Sequence, residues 1–394
     1  MISRDVAVVG LGAAGAATLY QLAQRGVSAL GIDSHSPPHV MGSTHGETRI
    51  TREAIGEGEC YTPLVRRSHG IWRELEAETG EDLLTQCGGL IIEGPGNGAA
   101  GHHRQEFLAH TIACANRYEI PHELLSAAEV EARFPQFSLA GDESAYFEPG
   151  AGFVRPERCV AAQLTMAERL GAEVRRDERV FALTPEPGGT VRIRTDRGDL
   201  EAGRVVLAVG PWVRDFLEPR HLELFTVYRQ VMAWFELRPE ANDHTPGAMP
   251  IFIWGLSNGD SFYGFPAVDG AGNAKVATEQ LSLATSPAEA TLEVDPEETR
   301  SLYEGLIRTR LPGLTERCTR SVRCLYTMTP DAGFVVDEHP DIPGVLLMSP
   351  CSGHGFKHSA GLGEAVAQLV TSGASDADLS PFRIGRFERT GVTG

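Results

Sequence analysis

The sequence predicts an α/β fold: a Rossmann-type dinucleotide-binding domain interrupted by an interleaved antiparallel-sheet domain. Three observations carry that expectation. A strand, a glycine-rich turn and a helix open the chain; long alternating strands fill its second half; and a second glycine-rich loop opens a helix near the C-terminus. At 394 residues there is material for two intimately packed domains.

Asp5-Val6-Ala7-Val8-Val9 reads as a buried parallel strand, apolar on both faces. Gly10-Leu11-Gly12-Ala13-Ala14-Gly15 follows at once, then a small-residue helix through Gln24. Ser28 to Asp33 is the second strand and ends in an acid. In such a unit Gly10 makes the tight turn, Gly12 lets backbone approach a pyrophosphate and Gly15 lets helix and strand pack closely. The helix N-terminus attracts the phosphates. Asp33 stands about 20 residues past the turn, where a ribose hydroxyl acceptor belongs. The motif does not separate FAD from NAD; its place at the start of the chain favours FAD. Arg204 to Trp212 reads as a later strand of the same sheet, running through Gly210 into a short helix.

Helical patterns cover Tyr61–Gly80, Gly101–Arg117, Arg155–Leu170 and Asp295–Arg310, the last with an Asp295 cap, Pro296 and an acid at the third position. Strand patterns cover Gly89–Glu93, Val191–Thr195, Phe225–Leu237, Ser261–Phe265, Ser321–Thr329, Phe334–Asp337 and Val345–Ser349. The long strand Phe225–Leu237 and its neighbours read as antiparallel. Gly94–Ala100, Pro185–Gly189 and Asp269–Asn273 read as surface turns.

Three segments could carry chemistry. Thr44 and Glu47 have capping-box spacing, which predicts a helix with His45, Arg49 and Arg52 on one face. That face suits an anionic ligand or is a solvated basic face. On the strand around Cys324, Cys324 and Tyr326 share a face with Val322 and Met328. Cys324 there is either an inert core thiol or an attachment point for an electrophilic cofactor. The loop Ser352-Gly353-His354-Gly355-Phe356-Lys357 opens a helix to about Thr371, whose positive end suits a ligand that gains negative charge.

The formal net charge of −18 argues against nucleic acid and an anionic membrane surface as partners. The cysteines are scattered without CxxC or metal-ligand spacing, which fits a reducing cytoplasm and no metal. The apolar run Val6–Leu22 is broken by glycines and is not expected to be a signal peptide, and no apolar stretch is long enough to span a bilayer. Of 35 basic side chains only two are lysine, Lys275 and Lys357.

Taken in order, these segments resemble the monomeric sarcosine oxidase and N-methyltryptophan oxidase family, amine oxidases of the D-amino acid oxidase fold group that bind FAD covalently. The resemblance runs over nearly the whole chain. It is carried by Pro37-Pro38-His39, Gly42-Ser43-Thr44-His45-Gly46-Glu47-Thr48-Arg49-Ile50, Tyr263-Gly264-Phe265-Pro266, Arg323-Cys324-Leu325-Tyr326-Thr327 and Ser352 to Lys357. It implies that Cys324 is joined to the flavin, that Lys275 marks the site of O2 reduction, and that Arg49 and His45 pack against the ring. Arg52 and Lys357 would hold a substrate carboxylate, with Tyr263, Tyr326 and Ile253 lining the cavity. The implied FAD set is Gly10, Gly12, Ala13, Ala14, Gly15, Asp33, Ser34, Ser43, Thr44, Val180, Gly210, Trp212, Cys324, Gly353, Gly355, Phe356 and Lys357.

The implied division is 1–86, 150–218 and 322–394 for FAD, and 87–149 and 219–321 for substrate. The implied activity is oxidation of a secondary (N-methyl or cyclic) amino acid to an imine, with O2 reduced to H2O2 by a cytoplasmic monomer. A flavin dehydrogenase passing electrons to a protein or quinone, and a non-catalytic flavin protein, stay open as alternatives. Two residues depart from the family. Leu19 replaces a glycine, so helix–strand packing should differ. Glu279 replaces a histidine near the substrate amine; inside the pocket it points to a more basic or cyclic amine, and turned to solvent it does not.

Overall fold

A computed structural model describes residues 3–94, 107–256 and 259–387. Positions 95–100 of the expected Gly94–Ala100 turn and 101–106 of the expected Gly101–Arg117 helix lie outside them.

An eight-stranded sheet is built around the apolar N-terminal strand Ser3–Val9. It pairs in parallel with Ala29–Ile32 on one side and Gly198–Leu207 on the other. Glu173–Arg175 and Val345–Ser349 continue the parallel part, and the hairpin Val180–Pro185/Val191–Thr195 adds antiparallel strands. Strand alternation sorts the side chains by face. Val6, Val8, Val206 and Met348 share a core with Leu19, Leu64, Val160 and Val366, from the helices Ala13–Gln24, Thr62–Thr79, Pro156–Arg169 and Ser359–Ser372. Ala7, Val9, Val205 and Leu347 pack on the other face with Val213 and Phe225.

Leu19 is accommodated locally. A Cβ on Gly31 would lie 2.6 Å from Leu19 Cδ2 and 2.9 Å from Leu11 Cδ2, so the room that the helix lacks is supplied by a glycine in the facing strand.

The second sheet has nine strands. Thr226–Leu237 lies between Asn273–Thr278 and Leu314–Met328, antiparallel to both. Ser261–Gly264, Ile251–Gly255 and Gly89–Glu93 extend it, and the last two pair in parallel, against the antiparallel expectation. The parallel pair joins strands far apart in sequence, a pairing that alternation alone does not reveal. One face buries Leu90, Phe235, Phe252 and Trp254. The other carries Met232, Trp234, Ala277, Cys324 and Tyr326. The strand Leu314–Met328 starts seven residues before the expected Ser321 and runs without a break through residue 322. Among the described residues, a three-stranded sheet of Arg49–Thr51, Gly152–Val154 and Leu84–Gln86 completes the strands.

The helix expected from Thr44 and Glu47 does not form. Gly46 and Glu47 adopt left-handed φ values of 96° and 71°, and Arg49–Thr51 is a strand. The capping groups serve distant partners: Thr44 Oγ1 accepts from Ala13 N at 3.3 Å, and Glu47 Oε2 accepts from Trp234 Nε1 at 2.7 Å. His45, Arg49 and Arg52 therefore share no helix face. At the second expected cap, Asp295 and Glu298 make both bonds of the capping box. Among the described residues no helix is long and apolar enough to cross a membrane.

Candidate active site

A cavity of about 1130 Å³ runs from the N-terminal glycine turn to the second sheet. Ordinary small-molecule sites occupy about 300–1,000 Å³, so this one has room for a large ligand and a small one together.

Gly10, Gly12, Ala13, Ala14, Asp33, Ser34, Val180, Gly210 and Trp212 line one end. The helix Ala13–Gln24 begins at Gly12 with no acid in its first turn, Thr44 Oγ1 holds its Ala13 amide, and Gly12 to Ala14 line the cavity at its positive end. Gly15 lies behind the wall, where a Cβ would sit 1.8 Å from the Gly10 carbonyl oxygen. Asp33 Oδ2 accepts from Leu11 N at 2.7 Å and Oδ1 from His35 N at 2.8 Å, which fixes the acid at the strand end.

Farther in, the wall is made by Ser43, Thr44, Gly353, Gly355 and Phe356. A Cβ on Gly355 would fall 1.7 Å from the Pro350 carbonyl oxygen, so the loop closes this tightly only with glycine there. These features fit an FAD-sized dinucleotide: a glycine cradle, a helix N-terminus and an acid at the strand end.

The inner end is lined by Arg49, Ile253, Tyr263, Glu279, Tyr326 and Lys357. Strand register explains the grouping. Ile253 is paired with Tyr263, and Tyr263 with Ala277, which shares a strand face with Lys275 and stands two residues before Glu279, just past the strand's end. The Tyr263 and Tyr326 hydroxyls meet at 3.2 Å. Burial pushes the Tyr263 phenol up to about 12 and the Tyr326 phenol well above the ordinary value, so both stay protonated.

Four expected residues stand just behind the wall. Lys275 is 2% exposed and donates to Gly46 O at 2.8 Å and Thr48 O at 2.6 Å. Burial holds its pKa well below the ordinary lysine value, and Arg49 adds to the effect. His45 is driven down to about 3 by burial and by Arg49, so it is neutral at physiological pH. Cys324 Sγ lies 3.5 Å from Arg49 Nη2 and 3.5 Å from Ser43 O, behind these two cavity-lining residues. Burial raises the thiol pKa, and Arg49 opposes that rise. Arg52 Nη2 is paired with Glu57 Oε2 at 2.6 Å.

Sequence reasoning missed Glu57. It lines the cavity, and its second oxygen lies 3.3 Å from Lys357 Nζ. Its only sequence signal is an acid between Gly56 and Gly58, shortly after Arg52. Burial lowers the Lys357 pKa to about 8 against the pull of Glu57. Sequence reasoning also missed Cys351, which lines the cavity and accepts from Thr327 N at 3.4 Å. No local pattern distinguishes it from the other dispersed cysteines.

Residues 5–369 match the family model "FAD dependent oxidoreductase". The chain is 36% identical over 380 residues to monomeric sarcosine oxidase of Streptomyces avermitilis, covering 96% of each chain. It is 32% identical over 387 residues to N-methyl-L-tryptophan oxidase of Shigella dysenteriae, covering 98% of this chain and 99% of the other. Among solved structures, NikD, an unusual amino acid oxidase essential for nikkomycin biosynthesis, superposes with a TM-score of 0.83 at 27% identity, over 97% of this chain and 98% of that one. L-proline dehydrogenase from P. horikoshii shares the fold, with a TM-score of 0.80 at 19% identity over 99% of each chain.

Proposed function

The chain belongs to the FAD-dependent oxidoreductase family, and we propose that it is an amine oxidase. Its substrate is a secondary, N-methyl or cyclic, amino acid, whose C–N bond is oxidised to an imine while O2 is reduced to H2O2. The observation that carries the reading is Glu57: a carboxylate set between Arg52 and Lys357 at the cavity wall. A wall that already holds one carboxylate between a fork and a point charge can hold that of an amino acid. Sarcosine and N-methyl-L-tryptophan, named for the relatives, are both N-methyl amino acids.

FAD, when bound, supplies the two-electron oxidation and its return to O2. In this reading residues 1–86, 150–218 and 322–394 hold the cofactor, and residues 87–149 and 219–321 hold the substrate. The helix end at Gly12 to Ala14 takes the pyrophosphate, and Asp33 takes a ribose hydroxyl. Cys324 would hold the cofactor covalently, and Arg49, 3.5 Å from its sulfur, favours the thiolate form of that side chain. Arg52 and Lys357 orient the substrate carboxylate, while Tyr263, Tyr326 and Ile253 shape the space for its amine and side chain. Glu279 lies on that wall and favours a more basic or cyclic amine. Lys275, while protonated, would place a positive charge beside the site of O2 reduction, a stabilisation of about 3–4 kcal/mol. The enzyme works as a monomer.

The test is an anaerobic screen of N-methyl amino acids, proline homologues and other cyclic imino acids against the holoenzyme. At least one should bleach the flavin absorbance, and admitting air should restore it with one H2O2 per imine. Bleaching followed by negligible reoxidation in air would make the protein a dehydrogenase instead.

A further inference from the structure

We propose that Glu157, outside the cavity on the first turn of the helix Pro156–Arg169, is a positioning residue that aims the Gly46 carbonyl at Lys275 and keeps that buried lysine protonated. The proposal rests on the reading of Lys275 as the cation beside O2.

Among the described residues, the polar partners of Lys275 Nζ are two neutral carbonyls, Gly46 O and Thr48 O. Its remaining neighbours are aromatic: the nitrogen lies 3.9 Å from the Phe265 ring centroid and 5.6 Å from that of Trp234. Neutral dipoles and ring faces steady an ammonium, but full burial without counter-charge favours the free amine. The Arg49 guanidinium works in the same direction as burial.

The opposing charge comes through the backbone. Glu157 Oε1 accepts from Gly46 N at 2.6 Å and from Glu47 N at 3.1 Å, and Oε2 lies 3.2 Å from Glu47 N. Holding the Glu47 amide on one side turns the carbonyl of the same peptide unit, Gly46 O, to the other, toward Lys275. The segment holds this shape with left-handed Gly46 and Glu47, and a Cβ on Gly46 would lie 2.6 Å from Met232 Cε. Trp234 Nε1 fixes the Glu47 carboxylate from the opposite side.

The charged and titratable groups facing Lys275 are thus Arg49 from the Arg49–Thr51 strand, Glu47 and His45 from the loop, Glu157 from the helix and Cys324 from the Leu314–Met328 strand. His45 is neutral and burial disfavours the Cys324 thiolate. Two carboxylates, Glu47 and Glu157, then stand against one fixed cation.

The chain's two lysines make the test direct. Holoenzyme grown with lysine labelled at the ε carbon gives two resonances, assigned with Lys275→Met, whose shifts follow protonation. Glu157→Gln keeps an acceptor for the amides and removes the charge. It should lower the Lys275 midpoint by about one pH unit or more and leave that of Lys357 in place. Glu157→Asp, which keeps the charge, should recover most of the shift. In parallel, reoxidation of the reduced enzyme by O2 should become slower at alkaline pH in Glu157→Gln, with anaerobic reduction changed less than about twofold. An unmoved Lys275 midpoint overturns the proposal. Should Glu157→Gln not fold, hydrogen exchange in the unmutated holoenzyme decides: protected Gly46 and Glu47 amides support the proposal, and fast exchange overturns it. The parent reading fails separately, if Lys275→Met reoxidises in O2 as fast as the unmutated enzyme, whatever the midpoints do.

Discussion

Arg52 donates from Nη2 to Glu57 Oε2 at 2.6 Å, and the other oxygen of that carboxylate lies 3.3 Å from Lys357 Nζ. All three side chains are buried. An incoming substrate carboxylate would compete with Glu57 for the same two cations. Glu57→Gln should therefore tighten binding of a carboxylate inhibitor several-fold. It should also lower the melting temperature, because a buried pair that loses one charge is destabilised by up to about 3–5 kcal/mol. Flavin difference titration and thermal melts read the two effects. Unchanged inhibitor affinity would show that Glu57 does not occupy the substrate's place.

Lys357 sets a pH limit on the same contact. Its pKa of about 8 lies below the ordinary lysine value, so the ammonium is lost as pH rises through about 8. Affinity for a carboxylate inhibitor that carries no amine should fall across that range, and Lys357→Met should flatten the profile. The stability effect has the opposite sense. Between about 8 and the unfolded value near 10.4 the unfolded chain binds more protons, so this group's contribution to stability rises with pH.

Cys324→Ser tests the anchor. Yellow colour should stay with the acid-precipitated unmutated polypeptide and pass to the supernatant for the variant. Colour lost from the unmutated protein would remove the covalent bond from the reading, and retention by the variant would point to another thiol, with Cys351 on the cavity wall the first to examine.

Lys275→Met should slow reoxidation by O2 about 10²–10³-fold, the size expected for losing one preorganised charge. Anaerobic reduction by substrate should change far less. Stopped-flow measurement of the two half-reactions separates them, and equal slowing of both would assign Lys275 to the substrate instead.

Glu279→His should reorder preference among substrates of different charge, with the more basic amines losing most in kcat/KM. Glu279 lines the cavity beside Tyr263 and Tyr326. A substrate profile that keeps its order would take Glu279 out of substrate selection.

Legibility followed the range of each interaction. Gly89–Glu93, Val191–Thr195 and Val345–Ser349 are strands at the residues expected, because alternation and β-branched runs are local signals. The Asp295 box held because its partners lie within one turn. The Thr44–Glu47 box failed because Ala13 and Trp234 compete for the same side-chain atoms from distant parts of the chain. Gly31 answering Leu19, Glu57 answering Arg52 and Lys357, and Glu157 answering Gly46 are pairings that only three dimensions bring together. Residue types alone, without the family resemblance, left Cys324 and the His45–Arg49–Arg52 group undecided between core, surface and site.

The strand Leu314–Met328 carries Cys324 and Tyr326 two residues apart on one face. If Cys324 tethers the cofactor, any repacking of this strand moves the tether along with the pocket. Ile253, Tyr263 and Glu279, on or beside the other strands, carry no such double duty. New substrate preferences are then open to selection along that side of the pocket and closed along the tethered one, and a library meant to retune this enzyme belongs on Ile251–Gly255, Ser261–Gly264 and the residues after Thr278.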